Sequence, residues 1–142
     1  MKILLISDIH GNFPALKACI EYFSEITFDT IYNCGDSLVY GPFPNQTLHW
    51  LKTNKVPSIL GNTDKKVIKL LKGKTFKKPR MEEKRIMYTW TADQLDSSAR
   101  KYILSLNNSI TLSISGHTIG LFHGSPERPH EFLFPDTSQQ RF

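Results

Sequence analysis

Four apolar runs in this chain each end on a residue that can bind a metal ion, with a glycine beside it. Ile3-Leu4-Leu5-Ile6 leads to Asp8-Ile9-His10-Gly11-Asn12, and Ile31-Tyr32-Asn33-Cys34 leads to Gly35-Asp36. Val56-Pro57-Ser58-Ile59-Leu60 leads to Gly61-Asn62-Thr63-Asp64, and Ile119-Gly120-Leu121-Phe122 to His123-Gly124. Short apolar runs of this length read as buried strands. Carboxylate, imidazole and amide groups at the carboxyl ends of neighbouring strands are the raw material of a metal site. Glycine lets the backbone come close to an ion or phosphate and takes positive φ without strain.

Strand and helix patterns alternate in the first half, which predicts parallel β-α-β units and an α/β fold. A strand is expected over Lys2 to Ser7. A helix follows from Asn12-Phe13-Pro14, with Asn as cap, Pro in the first turn and apolar residues Leu16, Cys19, Ile20 and Phe23 at helical spacing. A second strand is expected over Thr30 to Cys34. The loop from Gly35 to Pro44 then leads to a helix through Leu48 and Leu51. A third strand is expected over Val56 to Leu60, and a basic helix from Asp64 towards Leu71. Lys72 to Lys84, with Gly73 and Pro79, reads as a loop. Thr91 to Leu106 reads as one helix, because Thr91 and Gln94 have capping-box spacing. Ile110, Leu112 and Ile114 alternate with Thr111, Ser113 and Ser115 as in a half-buried strand. Ser115-Gly116 turns the chain back into a strand over His117 to His123. The tail from Gly124 to Phe142 shows little periodicity.

At 142 residues the default is a single domain, 1–142, with a sizeable core. Hydrophobic content of 39% and charged content of 22% exclude a disordered chain. No apolar stretch approaches the roughly 20 residues that span a bilayer. The opening run Ile3 to Ile6 stops at Ser7-Asp8, too early for a signal peptide. Cys19 and Cys34 read as small core residues in a reducing, cytoplasmic setting, without a disulfide. The net charge of +5 is local: Lys65, Lys66, Lys69, Lys72, Lys74, Lys77, Lys78 and Arg80 form one patch without an acid, and the remainder carries 10 basic against 13 acidic residues.

Each motif alone has a plain alternative. Asp8 and His10 can be a turn with a capping Asp and a surface His. Asp36 can be a turn residue after Gly35, and Asn62 a turn former beside Gly61. His123 can be a satisfied histidine at a strand end. It is the joint occurrence at four strand ends that points to a metal.

The order D-x-H-G-N, G-D, G-N-x-D, H-G resembles the calcineurin-like metallophosphoesterases, most closely their small bacterial and archaeal phosphodiesterase branch. Asp8 to Asn12, Gly61 to Asp64 and His123-Gly124-Ser125-Pro126 carry the likeness, with Trp90 to Leu95 as a helix start of the kind seen in that branch. The resemblance implies an α/β/β/α sandwich lacking its last strands. It implies two divalent ions, manganese first, with iron, zinc and nickel as alternatives. Asp8 and His10 would bind the first ion, Asp36 would bridge, and Asn62 and His123 would bind the second. A hydroxide on the pair would attack a phosphate ester, a small phosphate ester or nucleotide being the substrate. Asp36, Asn62 and Asn12 are the expected catalytic set. Asn12 has two readings, a phosphate contact and a helix cap.

Two departures stand out. Thr63 occupies the position where many relatives carry a leaving-group histidine, and a hydroxyl is a poor general acid at neutral pH. That favours substrates with good leaving groups, such as activated diesters or nucleotide anhydrides, and leaves Asp64 as cap of the basic helix. No G-H-x-H motif follows His123, so one protein donor per ion is expected to be missing and an apolar face or sheet edge is expected to invite self-association. His117, His49 and His130 read as ordinary turn, packing or surface histidines. Two competing functions remain at this stage: a catalytically impaired remnant that binds metal or phosphate weakly, and a nucleic-acid binder using the 65–80 basic patch. The second is disfavoured, because Val67, Ile68, Leu70 and Leu71 give that helix a buried side and Phe76 is the patch's lone aromatic.

Overall fold

The computed structural model describes residues 1–77, 79–114, 116–128, 130–132 and 134–141. The first apolar run forms β1 (Ile3–Ile6), and the second forms β2 (Thr30–Asn33), paired in parallel with Ile3 opposite Thr30 and Ile6 opposite Asn33. Helix α1 (Phe13–Tyr22) makes the crossover. Asn12 caps it as expected: its side-chain oxygen accepts the Ala15 N–H at 3.2 Å, and proline stands in the first turn.

The third expected strand runs beside β2 but is reduced to bridges, Asn33 to Ser58 and Ile59 to Asn107. Pro57 has no N–H to give to a ladder, so only its carbonyl pairs, accepting from Asn33 N at 3.0 Å. The last two strands form an antiparallel hairpin, β3 (Ser109–Ile114) with β4 (His117–Phe122). Alternate residues of β3 are half-buried, as the sequence pattern predicts. Ser115 of the expected turn lies outside the described residues; Gly116 has φ +80°. Among the described residues β1 pairs on one side only, and Leu5 on it is 56% exposed.

Four further helices build the rest: α2 (Pro44–Thr53), α3 (Asn62–Leu71), α4 (Glu82–Gln94) and α5 (Ser97–Ser105). Helix α2 packs on α1 and α5, and α3 on α4. Leu38, Val39, Leu48, Leu51, Val67, Ala99 and Ile103 are fully buried in one apolar cluster.

The helical boundaries depart from the sequence reading in three places. Helix α3 begins at Asn62, and Asp64 sits in its first turn, with Gly61 as the cap. Helix α4 begins inside the expected loop. The single helix expected over Thr91 to Leu106 is two helices. Thr91 and Trp90 lie within α4, where the Thr91 hydroxyl donates to Met87 O at 2.8 Å. The break falls at Leu95-Asp96. Asn45 of α2 holds it open, donating to Gln94 O at 2.8 Å and accepting from Asp96 N at 3.0 Å. A tertiary bond thus outcompetes continuation of the helix. The loop before α4 is anchored by Phe76, buried against Tyr88 with ring centroids 5.2 Å apart and Arg85 over its face. Phe76 therefore offers no platform to a nucleobase, and Lys78 of the patch lies outside the described residues.

Candidate metal centre

The loops after β1 and β2 are zipped together by backbone bonds. Asp8 N donates to Gly35 O at 3.0 Å, His10 N to Asp36 O at 3.0 Å and Gly11 N to Ser37 O at 2.8 Å. This zipper forces left-handed backbone on Asp8 (φ +54°), His10 (φ +51°) and Asp36 (φ +52°). Each such residue costs about 1–3 kcal/mol, and such strain concentrates at functional sites. The loops come this close only because Gly11 and Gly41 face each other: a Cβ on Gly11 would stand 2.8 Å from Gly41 O.

The Asp36 carboxylate is buried and divided in its duties. One oxygen, Oδ1, accepts the Thr63 N–H at 2.8 Å, at the N-terminus of α3. The other, Oδ2, lies 3.9 Å from His10 Nε2 and 3.6 Å from His123 Nε2. Each imidazole is held from behind. His10 Nδ1 is 3.1 Å from Leu38 O, and His123 Nδ1 is 2.9 Å from Cys34 O. A carbonyl can only accept, so each Nδ1 carries the proton and each Nε2, turned into the cleft, is the nitrogen that the neutral ring offers to an ion. Asp8 Oδ1 is 3.6 Å from His10 Nε2, and Asn62 Nδ2 is 3.4 Å from His123 Nε2. The structure places all five expected side chains on one cleft: Asp8, His10 and Asp36 lie together, and His123 stands beside Asp36 and the Asn62 amide.

This donor set fits divalent metal. One ligand atom each from Asp8, His10 and Asp36 lies within 4.8 Å of the others. Two donors about 2.1 Å from a shared ion stand roughly 3.0–4.2 Å apart, as do His10 and Asp8 at 3.6 Å, His10 and Asp36 at 3.9 Å and His123 and Asp36 at 3.6 Å. A backbone acceptor behind each ligating imidazole is the usual support of such sites.

Asp64 supports the centre from beneath. Its buried carboxylate accepts N–H bonds from Gly61 at 3.0 Å, Leu38 at 3.0 Å and Ser37 at 3.3 Å, tying the start of α3 to the loop after β2. Burial pushes its carboxyl up to about 6; the Gly61, Ser37 and Leu38 donors pull the other way and Asp36 adds to the rise. The sequence reading made Asp64 a helix cap; it does accept the Gly61 N–H, but from the helix's third position. The Thr63 hydroxyl is engaged too, donating to Leu38 O at 3.2 Å.

These groups open into a cleft of about 490 Å³. Its walls include three residues that sequence reasoning missed: Tyr40, His130 and Phe132. Tyr40 meets the His10 ring edge-on, centroids 4.9 Å apart. None lies in a recognisable motif; the nearest signal was that Phe132 and Phe134 are apolar in an aperiodic, proline-rich tail. His130 had been read as a surface or packing residue. His49 is paired with Asp96 at 2.9 Å, away from the cleft, and His117 begins β4.

Parallel β-α-β connectivity with acidic and histidine donors at the strand ends defines an α/β protein of metal-binding type. The chain belongs to the calcineurin-like phosphoesterase superfamily, whose domain profile matches residues 1–141. It is 30% identical over 136 residues to an uncharacterized protein of Methanocaldococcus jannaschii, covering 94% of this chain and 54% of that one. It is 30% identical over 100 residues to the symmetrical bis(5'-nucleosyl)-tetraphosphatase of Klebsiella pneumoniae, covering 67% and 35%. Among solved structures it resembles a metallophosphoesterase from Sphaerobacter thermophilus, with TM-score 0.71, 32% identity and coverage of 94% and 51%. A hypothetical protein from Pyrococcus horikoshii shares the fold, with TM-score 0.78 at 23% identity and coverage of 98% and 61%. The chain spans about half the length of most of these relatives. No described helix is long and apolar enough to cross a membrane.

Proposed function

We propose that this chain is a metal-dependent phosphoesterase of phosphodiesterase type, hydrolysing small phosphate esters or nucleotide esters at a dinuclear centre. The observation that carries the reading is the position of Asp36 Oδ2 near two imidazole nitrogens, His10 Nε2 at 3.9 Å and His123 Nε2 at 3.6 Å, both turned into the cleft. Asp8, His10 and Asp36 would hold one ion, and Asp36, Asn62 and His123 the other. The mixed oxygen and nitrogen donors suit manganese, with iron, zinc and nickel as alternatives. Ions bound there supply Lewis acidity towards the phosphate and an activated water.

The chain's own groups do the positioning. The shared carboxylate offsets repulsion between two cations. The backbone carbonyls of Leu38 and Cys34 fix both imidazoles, so no reorganisation is needed as the site fills. Asn12 caps α1 with its Oδ1 and is not among the residues lining the cleft; its Nδ2, which the cap does not use, is the group proposed to reach a phosphate oxygen. The Thr63 hydroxyl donates to a carbonyl and gives nothing to the leaving group, which favours esters whose leaving groups depart unprotonated. Residues 1–142 are read as one domain, supported by the single apolar cluster that spans α1 to α5. A cytoplasmic location belongs to the same proposal and accords with the two free thiols, Cys19 and Cys34.

The test is hydrolysis of bis(p-nitrophenyl) phosphate with manganese added, comparing the protein with Asp36→Asn. A loss of at least about a hundredfold in the variant is expected; equal rates reject the proposal.

A further inference from the structure

The cleft has one wall that metal chemistry does not use. Phe132 lines it and is 76% exposed, and Phe134 beside it is 58% exposed. Their rings stack nearly parallel, at 18° with centroids 6.1 Å apart. The loop that presents them is tied at both ends. Ser125 N donates to Arg128 O at 3.0 Å and Ser125 Oγ accepts from Arg128 N at 3.1 Å, just after His123. Beyond the pair, Phe134 N donates to Thr137 Oγ1 at 2.8 Å and Thr137 N to Phe134 O at 2.9 Å.

Two adjacent exposed aromatic rings at a cleft mark a surface that binds something. A nucleotide is a ligand that joins a flat ring to a phosphate. We propose that Phe132, backed by Phe134, is a stacking platform for the nucleobase of a nucleoside phosphoester whose phosphate lies at the Asp8–His10–Asp36 cluster. A planar base gains stacking on the ring face whatever its sequence identity. The opening of the cleft leaves the base's polar edges to water, and His130 lies in the same wall. The substrate class thereby narrows from phosphate esters in general to nucleotide esters, an inference that rests on the phosphoesterase reading.

Equilibrium binding separates the two. With manganese present, adenosine monophosphate should bind about tenfold more tightly than ribose 5-phosphate, which has the same phosphate and sugar but no base. Phe132→Leu should bring the ratio to within about twofold of unity, and Phe132→Trp should keep it. In hydrolysis, Phe132→Leu should raise the KM of thymidine p-nitrophenyl phosphate about tenfold relative to that of methyl p-nitrophenyl phosphate. A base preference that depends on Phe132 in a protein hydrolysing neither ester would sink the phosphoesterase reading and leave the platform standing. Equal binding of the two phosphates to the unmutated protein overturns the platform. So does a self-associated protein that Phe132→Leu dissociates while the binding ratio stays put, since the rings would then serve a second copy of the chain.

Discussion

His123 and Cys34, 89 residues apart in sequence, are joined by a 2.9 Å bond from the imidazole Nδ1 to the backbone carbonyl. The bond fixes the ring at the end of β4 to the end of β2 and selects the tautomer with Nε2 bare. Removing the ring while leaving the carbonyl to water should therefore cost metal affinity more than stability. For His123→Ala, equilibrium dialysis with manganese should show one ion retained where the unmutated protein should hold two, and affinity at the affected position lower by at least about tenfold. Two ions held with unchanged affinity would contradict the assignment of His123 as a ligand.

Gly61 has an ordinary φ of −86°, so its importance is space and not backbone freedom. A Cβ there would overlap Asp36 Oδ1 and stand close to Asp36 N. Gly61→Ala must push the carboxylate away from the Thr63 N–H. Overpacking of this kind costs about 1–3 kcal/mol, and here it also moves the carboxylate proposed to be shared by the ions. Denaturant melts should show that loss, and manganese binding should weaken in parallel. A variant that melts normally and binds manganese normally would mean that the contact relaxes without consequence.

The strand-end placement of the candidate donors was legible in sequence. Asp8, His10, Asp36, Asn62 and His123 each follow an apolar run, and in the structure all five line one cleft. What sequence could not carry was long-range competition. The break between α4 and α5 depends on Asn45 reaching Gln94 and Asp96, about 50 residues away, so a local capping pattern at Thr91 was misleading. The third strand looked regular because its residues are apolar, yet Pro57 limits it to bridges. Asp64 was legible as a partner of a helix terminus but not as the tie to Ser37 and Leu38, since those two come from the loop after β2. Phe132 and Tyr40 belong to no motif at all and gain meaning only from the cleft they face.

The cap and the proposed phosphate contact of Asn12 use different atoms, so substitution can separate them. The oxygen caps α1 through Ala15 N. Asn12→Ala should lower stability by about 1 kcal/mol. Asn12→Asp keeps a capping oxygen but removes the N–H donor and adds negative charge near the phosphate. Its stability should stay close to that of the unmutated protein while kcat/KM falls at least about tenfold. Unchanged kcat/KM in the Asp variant would reduce Asn12 to a cap.

Asp96 offers a clean acid titration far from the metal donors. Its carboxylate accepts the Ala99 N–H at 2.8 Å and faces His49. The Ala99 bond first, and His49 next, hold its carboxyl below the ordinary value of 3.8. A depressed carboxyl contributes stability that is complete above its unfolded value and is lost as pH falls through its folded value. Thermal melts from pH 6 down to pH 2 should thus fall more steeply for the unmutated protein than for Asp96→Asn, which keeps the cap but cannot titrate. The divergence should begin below about pH 4. Parallel curves would show that the cap carries no charge-dependent stability.

Metal addition should stabilise the fold as well as activate it. Asp36 and Asp64 bring two buried carboxylates to the same loops, and Asp8 adds a third near His10. An ion that binds only the folded arrangement offsets their mutual repulsion. At a hundred times its dissociation constant, such a ligand adds about 2.7 kcal/mol. For a chain of this size that corresponds to a rise in Tm of roughly 5–15 °C. Manganese should produce the rise in the unmutated protein, EDTA should reverse it, and Asp36→Asn should abolish most of it. Asp96→Asn, outside the cleft, should show the full rise. A Tm indifferent to saturating manganese would mean that these carboxylates and imidazoles do not hold an ion, and the hydrolytic reading would fall with them.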